Sequence, residues 1–249
     1  MKKIDIRPKT LGITPQKIDN GTIAFTLGRP AYFTVESYGR NNALHIFVDP
    51  IKNYNIDTKD ENVIYFGKGE HDVGEIELKS NQTFIEIDGI TIRDSLVYNI
   101  RPIGCKNLHI ANVKIIGCWR YNSDGMDMHN CEDVLIENCF LRTFDDSVCV
   151  KGFDCYYDGD VEKAVNEAMY RNGRSYDIFK NVILKNCVIW NDWGKCLEIG
   201  AETRGKEIFN ILFEDCDVIH VNGSVLDCCN VDYPEVHDVE YRNIWDGLC

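Results

Sequence analysis

Two short acidic clusters hold the groups in this sequence best suited to chemistry. Asn122-Ser123-Asp124-Gly125-Met126-Asp127 sets two carboxylates three residues apart, and Asp145-Asp146 opens the stretch DDSVCVKG. Carboxyl groups forced together resist joint ionisation, so one keeps its proton near neutral pH while a neighbour is charged. Cleavage of a glycosidic bond needs such an acid and base side by side. One group protonates the leaving oxygen, and another activates water or attacks. Asp-Gly is also a frequent turn dipeptide, so the clusters gain meaning only if the fold brings them together. Asp124 and Asp145 stand 21 residues apart. Neighbouring strands lie about 4.8 Å apart, so a chain that coils with that period would place both clusters on one face, one rung apart.

The sequence does coil with such a period. CKNLHIANVKIIGC (105–118), CEDVLIENCFLRTF (131–144), FKNVILKNCVIWND (179–192), IFNILFEDCDVIHV (208–221) and VHDVEYRNIWDGLC (236–249) share one template, with TFIEIDGITIRDS (83–95) as a looser copy. Each runs Asn or Asp, apolar, any, apolar, any, Asn or Asp, apolar or Cys, any, apolar. The starts step by 26, 48, 29 and 28 residues, and the long step contains a polar and aromatic insertion, 153–177, with a helix-like run near 161–170. Alternation with period two marks strands, and repetition at this length marks a solenoid. An all-β parallel β-helix follows. Asn112, Asn138, Asn186, Asp215 and Asn243 are expected to stack as a column at a bend, with Cys139, Cys187 and Cys216 stacked beside them as small core residues. Most of the 12 cysteines therefore drop out of the chemistry, and no CxxC spacing suggests zinc.

Residues 1–60 do not match the repeat and are expected to form a small N-terminal β-structure, a cap on the helix or a sandwich-like remnant, with the catalytic coils running over 61–249. The chain has 40 acidic against 27 basic residues and a net charge of −13. That balance speaks against nucleic-acid or acidic-membrane partners, which need a basic surface. No apolar leader or spanning segment is visible. A cytoplasmic location is expected of the chain as it stands, and secretion if a leader precedes it.

NSDGMD followed by CEDVLIENCFLRTFDDSVCVKG resembles the NTDG…NV.I.NC…GDD signature of family 28 glycoside hydrolases, the polygalacturonase group, and the related dextranase and isopullulanase group. The likeness is strongest over 105–152 and continues as repeats to 249. It implies a right-handed, single-stranded parallel β-helix that hydrolyses a carbohydrate chain with inversion. It implies Asp145 as general acid, Asp124 and Asp146 as the carboxylates that hold and activate water, and Asp127 beside them, with no metal or cofactor. Two departures bear on substrate. The Gly-His-Gly of polygalacturonases reads Gly194-Lys195-Cys196 here, and a counterpart of the Arg-x-Lys motif that grips galacturonate is not recognised. Both departures, with the acidic balance, point toward a neutral sugar. The chain also reads as a short member of the group, as though coils were missing after FIEIDGITIRDS.

Further groove candidates are Lys151, Lys195, Glu198, Glu202 and Arg204. Trp190 and Trp193 are candidates for sugar stacking or for the core, and His129 and His220 read as structural. Two other functions fit the same pattern: a carbohydrate-binding or structural β-helix without catalysis, and a pectate-lyase-like lyase.

Overall fold

The computed structural model describes residues 4–74, 76, 85–152, 178–201, 203, 206–230 and 234–247. The insertion 153–177, with its expected helical run, lies outside these residues, as do Glu202 and Arg204. The described residues are nearly all strand and turn and form a right-handed parallel β-helix. None of their helices is long and apolar enough to cross a membrane.

Each coil contributes up to three strands. One face stacks β6 (Ile85–Asp88), β8 (Lys106–Ala111), β11 (Glu132–Glu137), β14 (Ile178–Lys185), the first half of β17 (Glu207–His220) and β19 (Glu235–Asp246). A second face stacks β7 (Thr91–Arg93), β9 (Lys114–Ile116), β12 (Phe140–Thr143), β15 (Val188–Asn191) and the second half of β17. The third face, a separate four-stranded sheet, runs β10 (Met126–His129), β13 (Val148–Lys151), β16 (Leu197–Ala201) and β18 (Leu226–Asn230). All pairings in these sheets are parallel and in register, apart from a shift between β15 and β17.

The repeat template explains the corners. Asn112, Asn138, Asn186, Asp215 and Asn243 all adopt left-handed backbone, with φ between 51° and 55°. That region is costly for most side chains and best tolerated by Asn and Asp. The amides then link rungs: Asn243 Nδ2 donates to Asp215 Oδ1 at 2.9 Å, and Asn112 Nδ2 to Asp88 Oδ1 at 2.7 Å. The first Asn or Asp of the template forms a second column. Asn107, Asp133, Asn181, Asn210 and Asp238 are also left-handed, and Asn210 donates to Asn181 and Asn181 to Asp133 at 2.8 and 2.7 Å.

Cys139, Cys187 and Cys216 are buried one position after the bend, as their pattern predicts. Each thiol donates to the carbonyl two residues back, at 3.3, 3.3 and 3.2 Å, and burial pushes the Cys187 thiol well up. The ten described cysteines are all unpaired. Inside the coils, Ile110, Ile136, Leu184 and Phe213 fill one row, and Met126, Val148 and Leu197 another.

Three further strands, β1 (Asp5–Arg7), β4 (Ala31–Glu36) and β5 (Ala43–Val48), make an antiparallel sheet in the order β1-β4-β5, and β2 (Gln16–Lys17) pairs with β3 (Ile23–Ala24). The sequence suggests a cap over one end. The structure instead lays this sheet along a flank. Tyr32 and Phe47 pack on Phe140, Val188, Trp190 and Ile219, which belong to three successive coils. The reason lies in composition: beside Arg142, the outward side chains of β12 and β15 are Phe140, Val188 and Trp190, an apolar stripe whose removal from water is favourable. Polar ties flank the stripe, with His220 Nε2 2.6 Å from Glu36 Oε1 and Arg142 Nη1 3.0 Å from His45 Nε2. Among the described residues the first coil strand is Ile85–Asp88, and residues 61–74 carry no strand.

Candidate active site

The site is built on the outer side of the third face and on the turns that lead into it. Register aligns Asp127 with Cys149, Cys149 with Glu198, and Glu198 with Asp227. Side chains alternate along a strand, so Met126, Val148 and Leu197 point to the core while this row points outward. His129 and Lys151 follow two positions on, on the same side. Two or three residues before each strand, the turns supply Asp124, Asp145-Asp146 and Lys195.

Two glycines let the turns nest. Gly125 N–H donates to the Asp146 carbonyl at 2.9 Å, and a Cβ on Gly125 would lie 2.3 Å from the Ser147 carbonyl oxygen. Gly194 has φ +85°, and its Cβ would lie 2.6 Å from Asp146 Oδ1. The Asp-Gly and Gly-Lys dipeptides thus serve close approach between coils around Asp146.

The expected carboxylates meet. Asp124, Asp145 and Asp146 each offer an oxygen within 4.8 Å of the others. Asp145 and Asp146 are partly exposed and Asp124 is buried. Asp145 Oδ2 accepts the Asn122 N–H at 3.0 Å, and Asp146 Oδ1 accepts the Lys195 N–H at 2.7 Å. Asp124 Oδ1 is buried and finds no donor among the described residues, so it is available to water or to a ligand. Burial, and then the charge of Asp127, push the Asp124 carboxyl up to about 9. Burial also raises Asp145, with the Asp146 charge adding to the effect.

The supporting residues lie beneath. Asp127 is wholly buried, raised by burial, and paired with Lys151 Nζ at 2.8 Å. Lys151 is itself buried, so it steadies the site from below rather than lining its surface. Glu198, also wholly buried, is pushed up to about 8 by burial and by a hydrogen bond shared with Asp146. Lys195 Nζ holds Glu198 Oε1 at 2.6 Å and lies 3.4 Å from Asp227 Oδ2. His129 is buried and held neutral, its pKa lowered to about 3 by burial and by Arg101 and Lys151. His220 faces Glu36 and Trp190, away from the carboxylates. Trp190 is core, whereas Trp193 is 46% exposed beside the site.

Asp124 with Asp127 and Cys149, Asp146 with Cys149 and Glu198, and Asp124 with Asp145 and Asp146 each have the donor set for a cation. Lys151 lies against Asp127 in the first set and Lys195 against Glu198 in the second, so a metal in either would compete with a fixed charge.

Sequence reasoning missed the clamp that holds the Asp145-Asp146 turn. The buried Asn191 amide contacts the carbonyls of Asp145 and Lys195 at 2.8 and 3.2 Å and Ser147 Oγ at 3.1 Å, and Thr143 Oγ1 donates to the Asp145 carbonyl at 2.8 Å. Thr143 and Asn191 are register partners at the ends of β12 and β15, so aligning the repeats to their last residue would have flagged them. The string Arg204-Gly205-Lys206 does read Arg-x-Lys, but of its three residues only Lys206 is among the described ones. On the strand beside β16, Glu198 faces Asp227.

A probable polygalacturonase from Vitis vinifera is 34% identical over 74 residues, covering 29% of this chain and 15% of the plant protein. A hyperthermoactive exopolygalacturonase from Thermotoga maritima aligns structurally with a TM-score of 0.41 and 22% identity, over 65% of this chain and 41% of the bacterial one. The chain thus matches less than half the length of either relative. Residues 68–245, which contain every coil strand but the last residue of β19, match the family described as Glycosyl hydrolases family 28, and the chain belongs to that family.

Proposed function

We propose that the protein is a glycoside hydrolase that cleaves a poly- or oligosaccharide, with Asp145 as general acid and with Asp124 and Asp146 handling water. The observation that carries this reading is the convergence of three carboxyl groups from two coils within 4.8 Å. Asp145 is partly exposed and its pKa is raised, so it can carry a proton to a leaving oxygen. Asp146 accepts the Lys195 N–H through one oxygen, which fixes the carboxyl group and leaves the other oxygen to take a proton from water. Asp124, with its pKa raised and one oxygen without a partner, orients that water. In the step itself, water adds to the anomeric carbon, its proton passes to Asp146, and the glycosidic oxygen leaves with the Asp145 proton.

Family resemblance supports inversion. A retaining outcome is the second reading, because an acid and base acting with inversion usually stand about 6.5–9.5 Å apart and a retaining pair about 5–5.5 Å. The compact cluster favours the shorter spacing. A polysaccharide panel read by reducing-end release, with NMR of the first-formed anomer, separates the two. Asp145→Asn is expected to lower turnover by about 10²–10⁴-fold with the fold intact; unchanged turnover overturns the assignment.

A further inference from the structure

Two cysteines stand apart from both the carboxylate site and the buried thiol column. Cys105 and Cys131 open the repeats CKNLHIANVKIIGC and CEDVLIENCFLRTF, 26 residues apart. Each directly precedes a strand of the first face, and those strands pair in parallel with Lys106 opposite Glu132. The Glu132 N–H donates to the Cys105 carbonyl at 2.9 Å. The two cysteines therefore hold one template position on neighbouring rungs. Strands lie about 4.8 Å apart, inside the Cα separation of about 4.4–6.8 Å that a disulfide spans. We propose that Cys105 and Cys131 form a modification site, which a hydroperoxide converts to a disulfide that braces the coil carrying Asp124 and Asp127.

Contacts and access both favour this pair. Cys131 is wholly buried in the core, and Cys105 packs against the same cluster but is only half-buried. The two thiols share a hydrogen bond. The His129 and Pro102 carbonyls, at 3.3 and 3.5 Å, hold the Cys131 sulfur in place. The hydrogen bond from Cys131 brings the Cys105 thiol down to about 7, whereas burial pushes Cys131 well up. The accessible sulfur is thus the one that ionises, and the thiolate is the nucleophile. The other described cysteines each lack a requirement. Cys139, Cys187 and Cys216 stack in the same way, but burial shuts them off, as it does Cys149 and Cys196. Cys228 and Cys229 are exposed, but neighbours on one strand point to opposite faces. Cys118 is raised by burial, and its sulfur accepts from the Asn99 amide at 3.4 Å.

The chemistry has two steps. The Cys105 thiolate attacks one oxygen of hydrogen peroxide. An S–O bond forms, the O–O bond breaks, and the departing hydroxide takes up the proton that Cys105 released, giving water. The Cys131 sulfur then attacks the Cys105 sulfenic sulfur. The S–S bond forms, the S–O bond breaks, and hydroxide leaves with the Cys131 proton as a second water. Two thiols and one peroxide become one disulfide and two waters. The closed loop contains Asp124 and Asp127, and a dithiol reductant opens it again.

The experiment treats the full chain with hydrogen peroxide, alkylates the remaining thiols and reads the digested peptides by mass spectrometry. A joined peptide carrying Cys105 and Cys131 is expected, lighter than its two parts by two hydrogen atoms and separated by dithiothreitol. Cys139, Cys187 and Cys216 are expected to stay reduced. The oxidised protein is expected to melt about 5 °C higher, and peroxide-treated Cys105→Ser to melt where it did before treatment. In Cys131→Ala, oxidation of Cys105 is expected to stop at the sulfenic acid, which dimedone traps. Circular dichroism checks that both variants fold, and the peptide map of the unaltered protein needs neither. Cys105 left reduced, Cys105 oxidised without joining Cys131, Cys105 joined to a different cysteine, or no rise in melting temperature on oxidation overturns the proposal.

Discussion

The side-chain amide nitrogen of Asn191 sits 2.8 Å from the backbone carbonyl oxygen of Asp145, on the neighbouring coil. The same nitrogen reaches the Lys195 carbonyl at 3.2 Å and Ser147 Oγ at 3.1 Å, and Asn191 is buried. One amide therefore ties the turn carrying the proposed acid to the turn carrying Lys195, whose N–H holds Asp146. The positions of Asp145 and Asp146 depend on a residue that touches neither carboxyl group.

Asn191→Ala tests that dependence. The variant removes one donor each from the Asp145 and Lys195 carbonyls, which keep Thr143 Oγ1 and the Ser147 N–H, at a cost of about 0.5–1.5 kcal/mol per lost bond, and loosens the turn. A displacement of about 1 Å in a reacting group can cost on the order of 10²-fold in rate. The expected result is a lower melting temperature together with a fall in kcat on whichever substrate the panel identifies. Full kcat in a destabilised but folded variant would show that the amide stabilises without positioning.

The Lys151–Asp127 pair is the second test. Both side chains are almost wholly buried, at 5% and 0% exposure, and 2.8 Å apart. Removing one member of such a pair leaves an uncompensated charge and costs about 3–5 kcal/mol. Lys151→Met is expected to fall in that range by chemical denaturation. Lys151→Met with Asp127→Asn is expected to recover most of the loss, because no lone charge remains. Lys151 also holds the Asp124 carboxyl down, against Asp127, which raises it. The single variant should therefore move Asp124 further up, and the double variant less. A double variant no more stable than the single would show that the pair is not the source of the loss.

The fold was legible because its repeat is written in residue types that only certain backbones accept. Asn and Asp at two fixed template positions mark two left-handed corners per coil, and Cys139, Cys187 and Cys216 mark a core column. The meeting of Asp124 with Asp145 and Asp146 followed from coil length alone. The rest was hidden for physical reasons. Asn191 looks like any polar strand end, and its role comes from a turn 46 residues earlier. Lys151 reads as a surface cation until the Asp127 partner on the next strand is known. The flank position of the N-terminal sheet depends on Phe140, Val188 and Trp190 forming a stripe across coils, while each alone looks like ordinary core. Asp124-Gly125 reads as a turn, yet the glycine answers to the Ser147 carbonyl.

That last point gives a third prediction. A methyl group at Gly125 would lie 2.3 Å from the Ser147 carbonyl oxygen and 3.1 Å from Thr143 Cγ2. The obstacle is backbone, so the coils themselves must part. Overpacking of this kind costs about 1–3 kcal/mol or more, and it falls between Asp124 and Asp146. Gly125→Ala is expected to lower both the melting temperature and hydrolysis. Gly28→Ala, where nothing lies within 4 Å and φ is ordinary, is expected to change neither. Equal stability of the two variants would mean that the coils are not in close contact at Gly125.

The fourth prediction concerns pH. Glu198 is wholly buried among Asp146, Cys149, Lys195 and Asp227, and its carboxyl is raised from 4.5 to about 8, chiefly by burial. Below about pH 4.5 the group is protonated whether the chain is folded or not, and its contribution to stability is fully present. Between about 4.5 and 8 the unfolded chain ionises it while the folded protein does not, so stability falls as pH rises, by up to about 1.4 kcal/mol per pH unit. Above about 8 the loss is complete. Asp124, raised from 3.8 to about 9, acts in the same direction over a wider window that contains this one. Lys195, whose pKa is raised, gives up its own contribution only at higher pH. Glu198→Gln removes one ionisable group while keeping the shape and a partner for Lys195. The variant is expected to lose less stability than the unaltered protein between pH 5 and pH 8, and to gain on it most at pH 8. Identical pH slopes in denaturant titrations of the two proteins would show that Glu198 is charged in the folded state throughout, and would remove it as a proton store beside Asp146.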